Sequence, residues 1–208
     1  MSDKLDLTKL WKAEYVAPRK PVILELGPMT YLAVEGKGEP GGAEFPARVG
    51  ALYAMAYTVK MTRKFDGRQD YTVSKLEAQW WGAGKESCFA KLPKSAWRWR
   101  LLIRTPEFVS AEELASARAA LRKRGKGTGT EEVRLFSLTE GCCAQMLHVG
   151  PYQEEGTTVE KMLAFAAGRG LVPHGLHHEI YISDPRRVPP ERLKTILRQP
   201  LVPGAARK

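Results

Sequence analysis

Two carboxylates in the chain sit where carboxylates are expensive. Glu77 lies in Leu76-Glu77-Ala78-Gln79-Trp80 and Glu179 in His178-Glu179-Ile180-Tyr181-Ile182, both apolar and aromatic runs that read as strands. A carboxylate in such a run must reach solvent, pair with a cation or line a pocket, because burying an unpaired charge is very costly. Exposure on a wet strand face is the plain reading of Glu179. Desolvation in a pocket would instead raise its pKa, giving a stronger base or an attractor for a cationic ligand. Aromatic side chains that could line such a pocket are Tyr53, Trp81, Trp99, Tyr152 and Tyr181. We take Glu179 and Tyr152 as candidate catalytic residues, and Tyr53, Tyr57, Glu77, Trp81, Trp99 and Tyr181 as candidate ligand-binding residues. For each aromatic the competing reading is core packing.

Other reactive residues do not assemble into a site. His174, His177 and His178 suggest a metal cluster, but adjacent strand residues point to opposite faces and no carboxylate or cysteine completes the set. Cys142 and Cys143 have no histidine or aspartate constellation that would activate a thiolate, and with Cys88 they form an odd count without Cys-x-x-Cys spacing. The expectation is no metal and no cofactor, in a reducing, cytoplasmic compartment.

The elements that must position these residues are legible in part. Thr30 to Glu35 reads as a strand running into the glycine-rich turn Gly36 to Gly42. Phe45, Val49, Leu52, Tyr53, Ala56 and Tyr57 recur at helical spacing behind Pro46, which suits a first turn. Strands follow at Leu76 to Trp81 and Trp97 to Arg104, and Ser110 with Glu113 makes a capping box opening a helix to Arg124. The first order then returns. Cys143 to Val149 is strand-like and ends at Gly150-Pro151, Thr157 and Glu160 suggest a second capping box, and His178 to Ser183 is a strand stopped by Asp184-Pro185. The reading is an α+β fold of duplicated β-α-β-β units, related by a pseudo-twofold axis, that form an antiparallel sheet with helices around a central ligand cleft. An N-terminal arm is expected over residues 1–20 and the ligand-binding domain over 21–200, with halves at about 21–105 and 130–200 joined by a helix-containing segment.

Composition sets the limits. The 208 residues are 43% hydrophobic and 27% charged, enough for one buried core, and no window approaches a membrane span. The formal net charge of +10 would attract any polyanion. The densest basic run (Arg118, Arg122, Lys123, Arg124, Lys126) falls at a helix end, where cations complement the dipole, so a solvated helix end is favoured over a nucleic-acid patch. A small molecule is the expected partner, and oligomeric state stays open.

His148-Val149-Gly150-Pro151-Tyr152, followed by His177-His178-Glu179-Ile180-Tyr181-Ile182-Ser183-Asp184-Pro185, resembles the second half of the GyrI-like small-molecule-binding family. The first half, from Met29 to Gly38 through Ala51-Leu52-Tyr53 to Leu76-Glu77-Ala78-Gln79-Trp80-Trp81, resembles its stand-alone branch, and the likeness runs from about Pro21 to about Pro200. The resemblance implies a cleft for planar, often aromatic or cationic molecules, with the family's strand glutamate at Glu179. Some stand-alone relatives hydrolyse cyclopropane-bearing DNA-alkylating natural products with a pocket glutamate and aromatic residues. Binding of planar hydrophobic or cationic small molecules is thus the expectation, with detoxifying hydrolysis of cyclopropane-bearing electrophiles as its finer form, and non-catalytic drug sequestration or delivery to a partner protein is the alternative.

Overall fold

The computed structural model describes residues 4–82 and 92–204; Cys88 lies outside them. Strand β1 (Val22–Lys37) pairs antiparallel with β3 (Arg98–Arg104) on one side and β4 (Arg134–Val149) on the other. Strand β2 (Leu76–Trp81) lies between β3 and β6 (His177–Tyr181), and β7 (Lys194–Pro203) joins β6 back to β4. Six antiparallel strands therefore close into a barrel-like sheet. The short β5 (Leu171–Pro173) pairs with the end of β7. The protein is α+β, as expected. Strands β1 and β4 run well beyond the segments their sequences suggested, because their outer stretches pair with each other.

Helices cover the outside. Helix α3 (Glu44–Phe65) buries Leu52, Met55, Ala56 and Val59 against Leu32, Val34, Leu101 and Ile103 of β1 and β3. Helix α4 (Ala111–Lys123) opens on the expected capping box: the Ser110 hydroxyl accepts from the Glu113 backbone and the Glu113 carboxylate from that of Ser110. Helix α5 (Glu155–Ala167) packs Met162 and Ala166 onto Ala144, Met146 and Leu197 of β4 and β7. The box expected at Thr157 and Glu160 does not form. A 3-10 turn over Tyr152–Glu154 feeds α5 three residues earlier, and the Thr157 hydroxyl donates to the Glu154 carbonyl. With α3 over β1 and β3, and α5 over β4 and β7, the β2–β6 seam lies between the helices.

The other face of the sheet turns inward, and the N-terminal segment fills it. Asp6 caps α1 (Leu7–Leu10), α2 (Lys12–Tyr15) follows, and Tyr15 and Ala17 pack on Ile180 and Ile196. Arg198 donates to the Glu14 carbonyl, Gln145 to that of Ala13, and Arg104 pairs with Glu14 at 2.5 Å. These bonds anchor residues that the sequence presented as a polar lead-in. No helix among the described residues is long and apolar enough to cross a membrane.

Candidate functional site

Strand register decides which carboxylate meets which aromatic ring. On β6, Glu179 lies opposite Ala78 of β2 and Leu197 of β7, His177 opposite Trp80, and Tyr181 opposite Thr195. Because side chains alternate along a strand, His177, Glu179, Tyr181, Trp80 and Thr195 share the outer face at the seam. Glu179 is only 7% exposed. The Tyr181 hydroxyl donates to its Oε2 at 2.7 Å, and His177 Nε2 stands 3.5 Å from Oε1. Tyr152 sets its ring edge-on to Tyr181, with centroids 5.9 Å apart. Trp80 stacks on Phe45 and meets Trp97 edge-on, forming an aromatic wall beside the seam.

A second acid completes the cluster. The early start of α5 carries Glu155 to the sheet, where it is 8% exposed and near enough to Glu179 and Thr195 for both to act on its carboxyl. Burial, then the Glu179 charge, pushes its carboxyl up to about 9, so it is protonated at neutral pH. Burial and the same two carboxyls raise the Tyr152 phenol to about 12 and that of Tyr181 further, leaving both as neutral donors. Sequence reasoning missed Glu155, which lies in Tyr152-Gln153-Glu154-Glu155-Gly156 and looks there like one acid of a solvated turn.

The remaining candidates are dispersed. Tyr53 and Tyr57 stack on successive turns of α3 with centroids 6.1 Å apart; Tyr53 packs against the core cluster that Tyr181 joins, while Tyr57 is 54% exposed. Trp99 is fully buried in the α3 core, with its indole donating to the Gly38 carbonyl, so it packs rather than lines the seam. Trp81 and Glu77 alternate away from Trp80. Trp81 lies by the Arg100 guanidinium at 5.6 Å, and Glu77, opposite Ile180, points into the barrel. Glu77 and Glu179 therefore occupy opposite faces of the sheet and do not face each other across a cleft, because the β2–β6 register is odd with respect to the pair.

Glu77 belongs to a separate ionic network. Tyr15 and Tyr31 donate to it at 2.9 and 3.2 Å, and His178 Nε2 lies 3.1 Å from it. His178 Nδ1 reaches Glu140 at 3.0 Å, and Arg198 joins Glu140 at 3.1 Å and Gln145 at 2.8 Å. His178 is raised to about 9, chiefly by Glu140 against the opposing effect of burial, and Glu140 falls to about 2 beside His178 and Arg198 despite its own desolvation. Two carboxylates and two cations thus balance inside the barrel.

Two open surface hollows lie elsewhere. One is lined by Lys37, Gly38, Glu39, Glu44, Lys94 and Ser95, the other chiefly by residues of α3 and α4 including Thr62, Glu113 and Ser116. Neither brings buried reactive groups together, so chemistry singles out the Glu179 face. On the basic run, Arg118 donates to the Thr130 and Val133 carbonyls and Arg122 pairs with Glu131.

The sequence profile of the GyrI-like small-molecule-binding domain matches residues 103–201. An uncharacterized conserved protein from Listeria innocua is 42% identical, with 96% of this chain and 100% of that one covered and a TM-score of 0.88. A structure described as a hydrolase from Listeria innocua is 40% identical over the same shares, with a TM-score of 0.86. The C-terminal domain of EcmrR, at 8% identity and a TM-score of 0.56 over 88% of this chain and 98% of that one, shares the fold. No curated protein matches the sequence.

Proposed function

Since the chain belongs to the GyrI-like small-molecule-binding family, we propose that its outer-face seam binds planar hydrophobic or cationic molecules and hydrolyses cyclopropane-bearing electrophiles. The observation that carries this is Glu179. It is buried, held by a tyrosine hydroxyl, and among the described residues no lysine or arginine pairs with it. A carboxylate kept from solvent without a strong cationic partner is poised to take a cation or a proton from its ligand. The two β-α-β-β halves, each opened by a 16-residue strand and each laying one helix beside the seam, fit a duplicated fold with its cleft at the junction.

In the reaction we envisage, the rings of Tyr152 and Tyr181, backed by the buried Trp80, hold the flat ligand. Glu179 takes a proton from water as its oxygen bonds to a ring carbon. One strained carbon–carbon bond breaks, and its electron pair moves into the conjugated system, which is then protonated from solvent. The neutral Tyr152 phenol serves as a donor at the rim. The hydrolase description of a relative at 40% identity supports the catalytic reading.

Incubation with a cyclopropane-containing electrophile, followed by mass spectrometry, should reveal a product one water heavier. Glu179→Gln should lower turnover by at least ~100-fold. Turnover unchanged in that variant sinks the role of Glu179, and tight binding without product reduces the protein to sequestration.

A further inference from the structure

The two acids at the seam stand in an arrangement that forces a choice of charge. Glu155 arrives from the first turn of α5 and Glu179 from the middle of β6, and both carboxyls are buried at the seam, close enough for the charge of one to act on the other. Two ionised carboxylates close together repel strongly once water is removed. Glu155 Oε1 is moreover buried with no hydrogen-bond donor in reach. An orphan acceptor beside a carboxylate is satisfied by one change, a proton that turns it into a donor.

The surroundings decide where that proton rests. Facing the pair from β6 are His177, 3.5 Å from Glu179, and the Tyr181 hydroxyl, which donates to Glu179 Oε2 at 2.7 Å; from β7 comes Thr195, and from the 3-10 turn Tyr152. His148 of β4 is engaged by the Thr158 hydroxyl and the Pro151 carbonyl, and Asp184, past β6, lies close enough to act on Tyr152. Glu179 thus holds a tyrosine donor and a histidine neighbour. Glu155 has Thr195 and the first turn of α5 to favour its anion, against its burial and the Glu179 charge.

We propose that Glu155 and Glu179 hold one proton between them at neutral pH, carried on Glu155, so that the cleft presents a single negative charge and suits planar monocations and neutral electrophiles. The charge-matching half of this rests on the seam being the ligand site; the shared proton does not. Glu155 then sets the charge that Glu179 shows to its ligand, and at alkaline pH the second charge appears.

Two measurements separate these halves. Without ligand, infrared spectroscopy of the intact protein should show a protonated-carboxyl carbonyl band at neutral pH that disappears with a midpoint near pH 9 and is missing in Glu155→Gln. A band that is absent in the wild type, or that survives in Glu155→Gln, overturns the shared proton. Should Glu155→Gln fail to fold, Glu179→Gln serves: removing the neighbouring charge must move the midpoint down, and an unmoved midpoint overturns the proposal.

With ethidium as a planar monocation, affinity should tighten roughly fivefold or more between about pH 8 and 10, in the wild type and in His177→Gln alike, and stay flat in Glu155→Gln. Propidium, with the same rings and two charges, should gain by the larger factor. Equal gains, or a step that persists in Glu155→Gln, overturn the charge assignment. No ethidium binding with the infrared band intact overturns the cleft reading instead.

Discussion

At the scale of single residues, a carboxyl kept protonated for function should weaken the fold. Glu155 is raised to about 9 in the folded protein against 4.5 for the free side chain, so above pH 4.5 the unfolded chain gives up a proton that the folded chain retains. Its effect on stability is therefore absent below pH 4.5, grows more unfavourable with rising pH, and levels off above about 9. Glu155→Gln keeps the shape without the ionisation. Urea denaturation should find this variant more stable than wild type at pH 8, by roughly 4–5 kcal/mol, and equal to it at pH 4. A variant no more stable at pH 8 would mean that Glu155 is ionised in the fold. Tyr181→Phe tests the other member: it strips Glu179 of its 2.7 Å donor, and turnover should fall by roughly tenfold with little change in melting temperature.

Elements explain both what the sequence disclosed and what it hid. The capping box at Ser110 and Glu113 was visible because cap chemistry is local, and β3 because Trp99, Leu101 and Ile103 alternate with arginines. Strand β7 was not visible. Its run Thr195-Ile196-Leu197-Arg198-Gln199-Pro200 mixes polar and apolar residues on both faces, since the barrel interior is itself ionic and takes Arg198. The same interior reverses the sense of Glu77, whose aromatic neighbours suggested a pocket while its partners Tyr15 and His178 arrive from distant parts of the chain. Glu179 was identifiable from an acid in an apolar strand; Glu155 needed the true start of α5. One packing detail gives a further test. The Trp99 indole lies across Gly36, its neighbour in the β1–β3 register, and a methyl group there would overlap the ring. Gly36→Ala should therefore displace Trp99 from the α3 core and destabilise by about 2–4 kcal/mol in a thermal or urea melt, whereas Gly50→Ala, with open space around it, should not.

At the scale of the whole molecule, the sheet separates two ionic systems whose pH dependences add but occupy different ranges. Inside, His178 is raised from 6.5 to about 9, so the stability it contributes is complete below pH 6.5 and is lost as pH rises through about 9. Glu140 is lowered from 4.5 to about 2, so its contribution holds above pH 4.5 and disappears as pH falls through about 2. On the outer face Glu155 already weakens the fold from pH 4.5 upward. Stability should therefore peak near pH 4.5, fall gently to 6.5 on account of Glu155 alone, then fall more steeply to about 9 as His178 adds its loss. The variants divide that profile. Glu155→Gln should flatten the stretch from 4.5 to 6.5 and leave a drop of a few kcal/mol beyond it. Glu140→Gln removes the main cause of the raised His178 pKa and strands Arg198, so it should cost about 3–5 kcal/mol at pH 6 and flatten the steeper alkaline fall. A series of urea melts from pH 4 to 10 on the three proteins reads all of this. An alkaline fall as steep in Glu140→Gln as in wild type would place its cause outside the barrel and refute the separation of the two systems.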